Sequence, residues 1–299
     1  MAERIDVDVP LDVGRTLGVM EMWGATTWLR RDGADTWYAQ REPEGAATVC
    51  LRQDSSHVEV RSWGPGGDAL AARVPELLGL HRPGLDRVEA HHPAVREAQR
   101  KLRGLRVGRS GQVFARLIGT ALAQKVTGPN GKGALRRLAW THGERAPGPR
   151  DDLWLLPEPR VLARLPYYVL HELNIERHRA ALIARIASRA VALQRAADLP
   201  PDEARAHLEK LPGIGPWTSG VVMGGVLGDA DAVPIGDYHL PNVVAYHLAG
   251  EREATDDRML ELLQPYAGQR GLVARALKVA GGTPPRRAPK AAVRDIRRH

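Results

Sequence analysis

Two textures divide the chain. Up to residue 80 the apolar positions come in short alternating runs; beyond residue 107 they recur at helical spacing. Residues 26–30, 36–41, 47–52 and 57–63 read as strands. Between them lie Asp32-Gly33, Pro43-Glu44-Gly45 and Asp54-Ser55-Ser56, all turn formers. Residues 11–20 and 68–80 flank these runs as helices. The pattern predicts an α+β N-terminal domain over residues 1–80, a small antiparallel sheet with helices. Residues 81–106 carry Pro83, Pro93 and the pair His91-His92, and read as a solvated linker into the start of a helical domain. Adjacent histidines can bind metal, but no acid or cysteine stands at ligand spacing from them.

An all-α domain is predicted over residues 107–282. One helix, 112–127, has Val113, Leu117, Ile118, Ala121 and Leu122 on one face. Another, 176–190, turns Ile175, Leu182, Ile183, Ile186 and Val191 inward and its arginines outward. Residues 134–141, 160–165, 255–266 and 270–280 add further helices, and Thr255 can cap the one it precedes. The stretch 128–133, Gly-Pro-Asn-Gly-Lys-Gly, reads as a loop. It fails as a P-loop, since Gly131-Lys132 is not followed by Ser or Thr and no strand precedes it. Residues 147–159 read as a proline-rich loop.

Residues 210–240 concentrate the candidate chemistry. Leu211-Pro212-Gly213-Ile214-Gly215-Pro216 is a turn. Pro212 presets φ for its first corner, and Gly213 tolerates the positive φ of a type II second corner. Pro216 suits the first position of a new helix. Residues 202–227 thus form a helix–hairpin–helix. Free N–H groups at the second helix's start make either a phosphate seat or an ordinary tight corner. Gly220, Gly224 and Gly228 then recur every four residues, beside Gly225. Glycine costs about 1 kcal/mol against alanine in a helix interior, so the repetition predicts another backbone packed along that face. Asp237 follows Pro234 and Gly236 and precedes a helix with Leu240, Val243, Val244 and Leu248 inward. It reads as an N-cap, as a catalytic carboxylate, or as both, since a cap holds a carboxylate ionised and fixed.

Hairpin, spacer and aspartate together resemble the helix–hairpin–helix–Gly/Pro–Asp DNA glycosylases, and within them the AlkA-like 3-methyladenine DNA glycosylase II family. The helix–sheet–helix order of residues 1–80 resembles that family's N-terminal domain. The resemblance implies hydrolysis of an N-glycosidic bond in base excision repair, with double-stranded DNA carrying a damaged base as partner. Alkylated purines are the implied substrate; a deaminated purine, or a non-catalytic DNA-binding role, are the alternatives. Asp237 would stabilise positive charge on the sugar. Leu211, Pro212, Gly213, Ile214, Gly215 and Thr218 would meet DNA, and Gln124 and Lys125 would face the gap left by the flipped base, unless they are plain surface residues. The backbone carbonyls of Glu209, Leu211 and Ile214 would hold a sodium or potassium ion.

The chain departs from the family in several places. Lys125 stands where AlkA-like proteins have an apolar wedge. Trp217 stands where bifunctional relatives have the lysine that attacks the sugar, so hydrolysis without strand cleavage is expected. Trp217 and Tyr238 would line the base pocket, with core packing as the other reading for Trp217. Val221 replaces a pocket tyrosine, and the helix 270–280 lacks tryptophan; Tyr167 and Tyr168 are further aromatic candidates.

Composition adds limits. The single cysteine, Cys50, excludes the four-cysteine iron–sulfur cluster of some relatives; no other cofactor is expected. The net charge of +8 points to an anionic partner. From Thr283 onward, however, six cations stand against one aspartate, so the tail supplies five of those charges. Residues 283–299 are expected to be a basic, disordered tail. With no signal peptide or membrane span, a cytoplasmic, nucleoid-associated monomer is expected.

Overall fold

The computed structural model describes residues 2–18, 20, 27–284 and 295. The basic tail lies almost wholly outside them, as does the first residue of the run 26–30. The N-terminal unit runs β1 (Ala2–Asp6), α1 (Val13–Gly18), β2 (Leu29–Asp32), β3 (Asp35–Glu42), β4 (Gly45–Gln53), β5 (His57–Trp63), α2 (Gly67–Ala72) and α3 (Val74–Leu77). The strands form one antiparallel sheet in the order β1-β5-β4-β3-β2. Four strands match the alternating runs. The fifth, β1, was not expected; it pairs along β5 with Ile5 opposite Val58.

The sheet supports the helical region. Val49, Leu51 and Val60 share one core with Leu117, Ile118, Ile183, Ile186, Leu208 and Met223 of the helices. Burial of this apolar surface is the main term holding the two parts together.

A second core corrects the linker reading. Leu85, Val88, Val95, Ala98, Leu102 and Leu105 pack with Val244, Met259, Leu263, Leu272, Val273 and Leu277. Residues 81–106 therefore lend one packed face to this core rather than forming a solvated linker. Pro93 begins α4 (Pro93–Lys101) instead of breaking it. His92 caps that helix, its Nδ1 accepting the Ala94 N–H at 3.1 Å, and the His91 ring packs against Tyr266. Among the described residues no cluster of three or more metal-ligating side chains occurs.

The remaining helices are α5 (Val113–Ala123), α6 (Gly128–His142), α7 (Pro159–Leu162), α8 (Tyr167–Glu172), α9 (Arg177–Ser188), α10 (Ala190–Gln194), α11 (Pro201–Glu209), α12 (Pro216–Val226), α13 (Leu240–Ala249), α14 (Asp256–Leu263) and α15 (Arg270–Gly281). The expected loop at 128–133 is the first turn and more of α6. Pro129 fits an opening turn, and Gly131 lies close to the Leu122 carbonyl and Ala123 backbone of α5. The proline-rich loop contains β7 (Trp154–Leu155), which pairs with β6 (Glu144–Arg145). Thr255 caps α14 as expected, accepting the Arg258 N–H at 3.3 Å. Along α9 and beyond it, Val191 is exposed rather than inward and Arg179 is buried rather than outward, because its guanidinium serves the Leu122 and Asn174 carbonyls. No helix among the described residues is long and apolar enough to cross a membrane.

Candidate active site

The turn between α11 and α12 closes as Pro212 and Gly213 predict. The Ile214 N–H donates to the Leu211 carbonyl at 2.9 Å, and Gly213 has φ of 101°, as a type II turn requires. Leu211 and Ile214 are buried and anchor the hairpin; Pro212 and Gly213 are exposed. α12 starts at Pro216. A Cβ added at Gly215 would meet nothing within 4 Å. Among the described residues the N–H groups of Gly213 and Gly215 donate to no protein acceptor. Open approach and free donors at a helix N-terminus are what a phosphate needs.

Two side chains brace this corner. The Gln124 amide, at the end of α5, donates to the Gly213 carbonyl at 3.0 Å and to Thr218 Oγ1 at 3.1 Å. Ser219, fully buried, donates its hydroxyl to Glu209 of α11, joining the two helices of the unit. Lys125, next to Gln124, is exposed with φ of 54°, a left-handed conformation uncommon for a non-glycine residue.

The glycine face of α12 meets the expected backbone at two positions and arginines besides. A Cβ at Gly220 would stand 2.7 Å from Pro234 Cα and 2.8 Å from the Val233 carbonyl, and one at Gly224 3.4 Å from the Ala232 carbonyl of the same segment. Gly224, Gly225 and Gly228 also make room for arginines from three other segments. Arg275 donates to the Gly224 carbonyl at 3.0 Å, Arg116 to Gly225 at 3.3 Å and Arg82 to Gly228 at 2.7 Å. Burial pushes the Arg116 and Arg275 guanidiniums down to about 10, so both stay charged at neutral pH. Cations at the carbonyl end of a helix complement its dipole.

Gly220 matters because the strand of backbone it admits leads to Asp237. The Asp237 N–H donates to the Pro234 carbonyl at 3.3 Å, and the Gly236 N–H to Asp256 Oδ2 at 2.9 Å. Asp237 Oδ1 then accepts the N–H groups of His239 and Leu240, each at 2.9 Å. Oδ2 accepts the Trp217 indole N–H at 3.1 Å. By position His239 is the N-cap of α13; the Asp237 carboxylate satisfies that helix's first donors from two residues upstream. A carboxylate has about four acceptor sites. Three are used, which leaves one on Oδ2. Burial works against the charge. The His239 N–H, the Trp217 indole, the positive Lys278 and the Leu240 N–H together outweigh it and hold the carboxyl below its ordinary range.

No family profile matches the sequence. A putative DNA-3-methyladenine glycosylase of Bacillus subtilis is 27% identical over 117 residues, 38% of this chain and 41% of that protein, so the match spans less than half of that relative. Among solved structures, the 3-methyladenine DNA glycosylase of Archaeoglobus fulgidus aligns with a TM-score of 0.78 at 18% identity, over 92% of this chain and 97% of that one. An 8-oxoguanine glycosylase/lyase of Clostridium acetobutylicum, solved with double-stranded DNA containing cytosine opposite 8-oxoguanine, aligns with a TM-score of 0.70 at 14% identity, over 93% and 96%. This chain has the fold of the helix–hairpin–helix DNA glycosylases.

Within the glycosylase fold, the residues singled out in the sequence divide into two groups. Gln124, Gly213 and Thr218 meet at the hairpin, and Trp217 meets Asp237. Tyr238 is 85% exposed and lies edge-on to His239, while Trp217 is tied to the carboxylate. Tyr167 bonds His171 Nδ1 at 3.2 Å beneath the Arg177 guanidinium, and Tyr168 is exposed. Lys278 was not anticipated. It lies in the last turn of α15, where nothing in the local sequence marks it, and packing of α15 against α13 brings its charge to Asp237.

Proposed function

We propose that this protein is a monofunctional DNA glycosylase that hydrolyses the N-glycosidic bond of a damaged purine and leaves an abasic site. The observation that carries the reading is the Trp217–Asp237 bond. It joins the hairpin helix to a carboxylate that keeps one acceptor site open. As the base departs, positive charge develops on the sugar, and a fixed carboxylate stabilises it. A carboxyl held below its ordinary range is a weak proton acceptor, so Asp237 acts mainly through its charge and orients the attacking water. Extruding the base costs a few kcal/mol; phosphate held on the hairpin offsets part of it. A sodium or potassium ion on the carbonyls of Glu209, Leu211 and Ile214 would strengthen that hold. The Leu211 carbonyl accepts one bond, from Ile214, and keeps a second lone pair.

An alkylated purine of the 3-methyladenine type is the first substrate to test. Lys278 favours a second reading, a neutral base such as a deaminated purine, because a cation whose field reaches Asp237 opposes a positively charged base. Duplexes carrying methylated or deaminated purines, with released bases separated and identified, decide between the two. The strands should stay intact until alkali is added, because the α12 position that faces Asp237 bears an indole, which donates but is no nucleophile. Borohydride should trap no protein–DNA adduct. Efficient trapping would replace hydrolysis by an amine mechanism, and Lys278→Ala and Lys125→Ala would then identify the amine.

A further inference from the structure

We infer that Arg185 of α9 is a ligand for a DNA backbone phosphate, completing from a third helix the seat that the hairpin begins. The inference rests on the hairpin's role as a DNA-binding element.

Arg185 follows Leu182 by three residues, so the two share one side of α9. Both meet the hairpin at Gly213. A Cβ built there would stand 2.8 Å from Leu182 Cδ1 and 3.5 Å from Arg185 Nη2. Leu182 is buried and Gly213 is exposed, which places the guanidinium beside the exposed corner of the turn. Its Nε is buried without an acceptor. Among the described residues its side chain makes no hydrogen bond or ion pair.

Arginines nearby behave differently. Arg179, six residues earlier on α9, also has an Nε without a hydrogen-bond partner but donates through Nη1 and Nη2 to the Leu122 and Asn174 carbonyls, and Arg137 donates to the Leu173 carbonyl. Buried polar groups are normally paired. The Gly213 carbonyl accepts the Gln124 amide and no bond from Arg185. The same turn carries the free N–H groups of Gly213 and Gly215. A guanidinium without a protein acceptor, against a turn with unused N–H donors, fits an anion. The guanidinium fork matches phosphate oxygens in a bidentate fashion. Phosphate is the chemistry; the source is the DNA backbone.

Binding of a short undamaged duplex, measured by fluorescence anisotropy across a potassium chloride series, tests this. In Arg185→Gln the slope of log affinity against log salt should shrink by about 0.9, with a loss of about three- to tenfold in affinity near physiological salt. Arg185→Lys should restore the slope and part of the affinity. Arg4→Gln, on the outer sheet strand, should change neither. Gly215→Asp is run in parallel. It places a negative charge in open space at the hairpin without a clash and should weaken binding to every duplex alike. Melting temperatures check folding, and Arg185→Met, which keeps the aliphatic stem on Leu182, replaces the glutamine variant if that is unstable.

Parental slope and affinity in Arg185→Gln, with binding lost in Gly215→Asp, would overturn the Arg185 assignment while leaving the hairpin reading intact. A shrunken slope with no effect of Gly215→Asp would support Arg185 and sink the hairpin seat; parental binding in both would sink both. Inorganic phosphate distinguishes the source. If it raises the melting temperature in an Arg185-dependent way while duplex binding ignores Arg185, the site takes free anions and the DNA assignment falls.

Discussion

Asp237→Asn should keep DNA binding and lose base release by at least about a hundredfold, the scale seen when one preorganised electrostatic group is removed from a transition state. The amide is isosteric but neutral, so the charge that we propose stabilises the sugar is gone. The substitution also disturbs its surroundings. In the parent, Oδ1 serves two backbone donors and Oδ2 serves the Trp217 indole. An asparagine has one oxygen, so its NH2 must face a donor on one side, at a cost of about 1–3 kcal/mol. Circular dichroism and melting temperature therefore accompany the single-turnover assay. Near-parental release by a folded Asp237→Asn would move the chemistry to another residue.

Trp217→Phe separates charge from positioning. It removes one hydrogen bond that lowers the Asp237 pKa, so the folded-state value rises. The sign follows from the depressed parental value: activity that needs the carboxylate is present above the folded pKa and is lost as pH falls through it. The acid limb of the pH–rate profile should thus move to higher pH in Trp217→Phe. The same linkage removes some of the stability that ionised Asp237 contributes above its unfolded pKa. An unmoved acid limb would mean that the indole does not tune this carboxylate.

The hairpin and Asp237 were legible in the sequence because their signals are local. Pro212, Gly213 and Pro216 each fix a backbone angle, and an aspartate before a helix has few conformations. The glycine spacing of α12 was legible as close packing, but its partners were not. Arg116, Arg275 and Arg82 come from segments more than 50 residues away, and periodicity says nothing about which distant side chain fills a gap. Arg185 was hidden by the same rule that identified α9. An arginine at the border of an amphipathic helix's apolar face looks solvated, and only the fold brings it to Gly213. Residues 81–106 were misread because Pro83 and Pro93 suggested a break. The spacing of Val95, Ala98 and Leu102 was helical, and Pro93 is where a helix can begin. Tyr238 adjoins Asp237 in sequence, but Asp237 turns its carboxylate toward Trp217 and α13 while Tyr238 faces solvent.

Gly220→Ala should cost more activity than its volume suggests, because its neighbour carries the carboxylate. One added carbon would stand 2.7 Å from Pro234 Cα and 2.8 Å from the Val233 carbonyl, and backbone cannot swing aside as a side-chain end can. Overpacking of this kind costs about 1–3 kcal/mol. The displacement is also transmitted. Pro234 accepts the Asp237 N–H, so moving Pro234 moves Asp237 against the Trp217 indole and the start of α13. A misplacement of about 1 Å can lower a rate about a hundredfold. Gly224→Ala is the matched control on the same helix face. Its added carbon would approach the end of the Arg275 side chain at 3.2 Å and the Ala232 carbonyl at 3.4 Å, so the arginine can adjust and the loop to Asp237 is not pushed. Both variants should melt below the parent. Under conditions where each is fully folded, single-turnover base release should drop roughly ten- to a hundredfold in Gly220→Ala and stay near parental in Gly224→Ala. Equal rates in the two variants would show that the close approach at Gly220 serves packing alone and does not position the carboxylate.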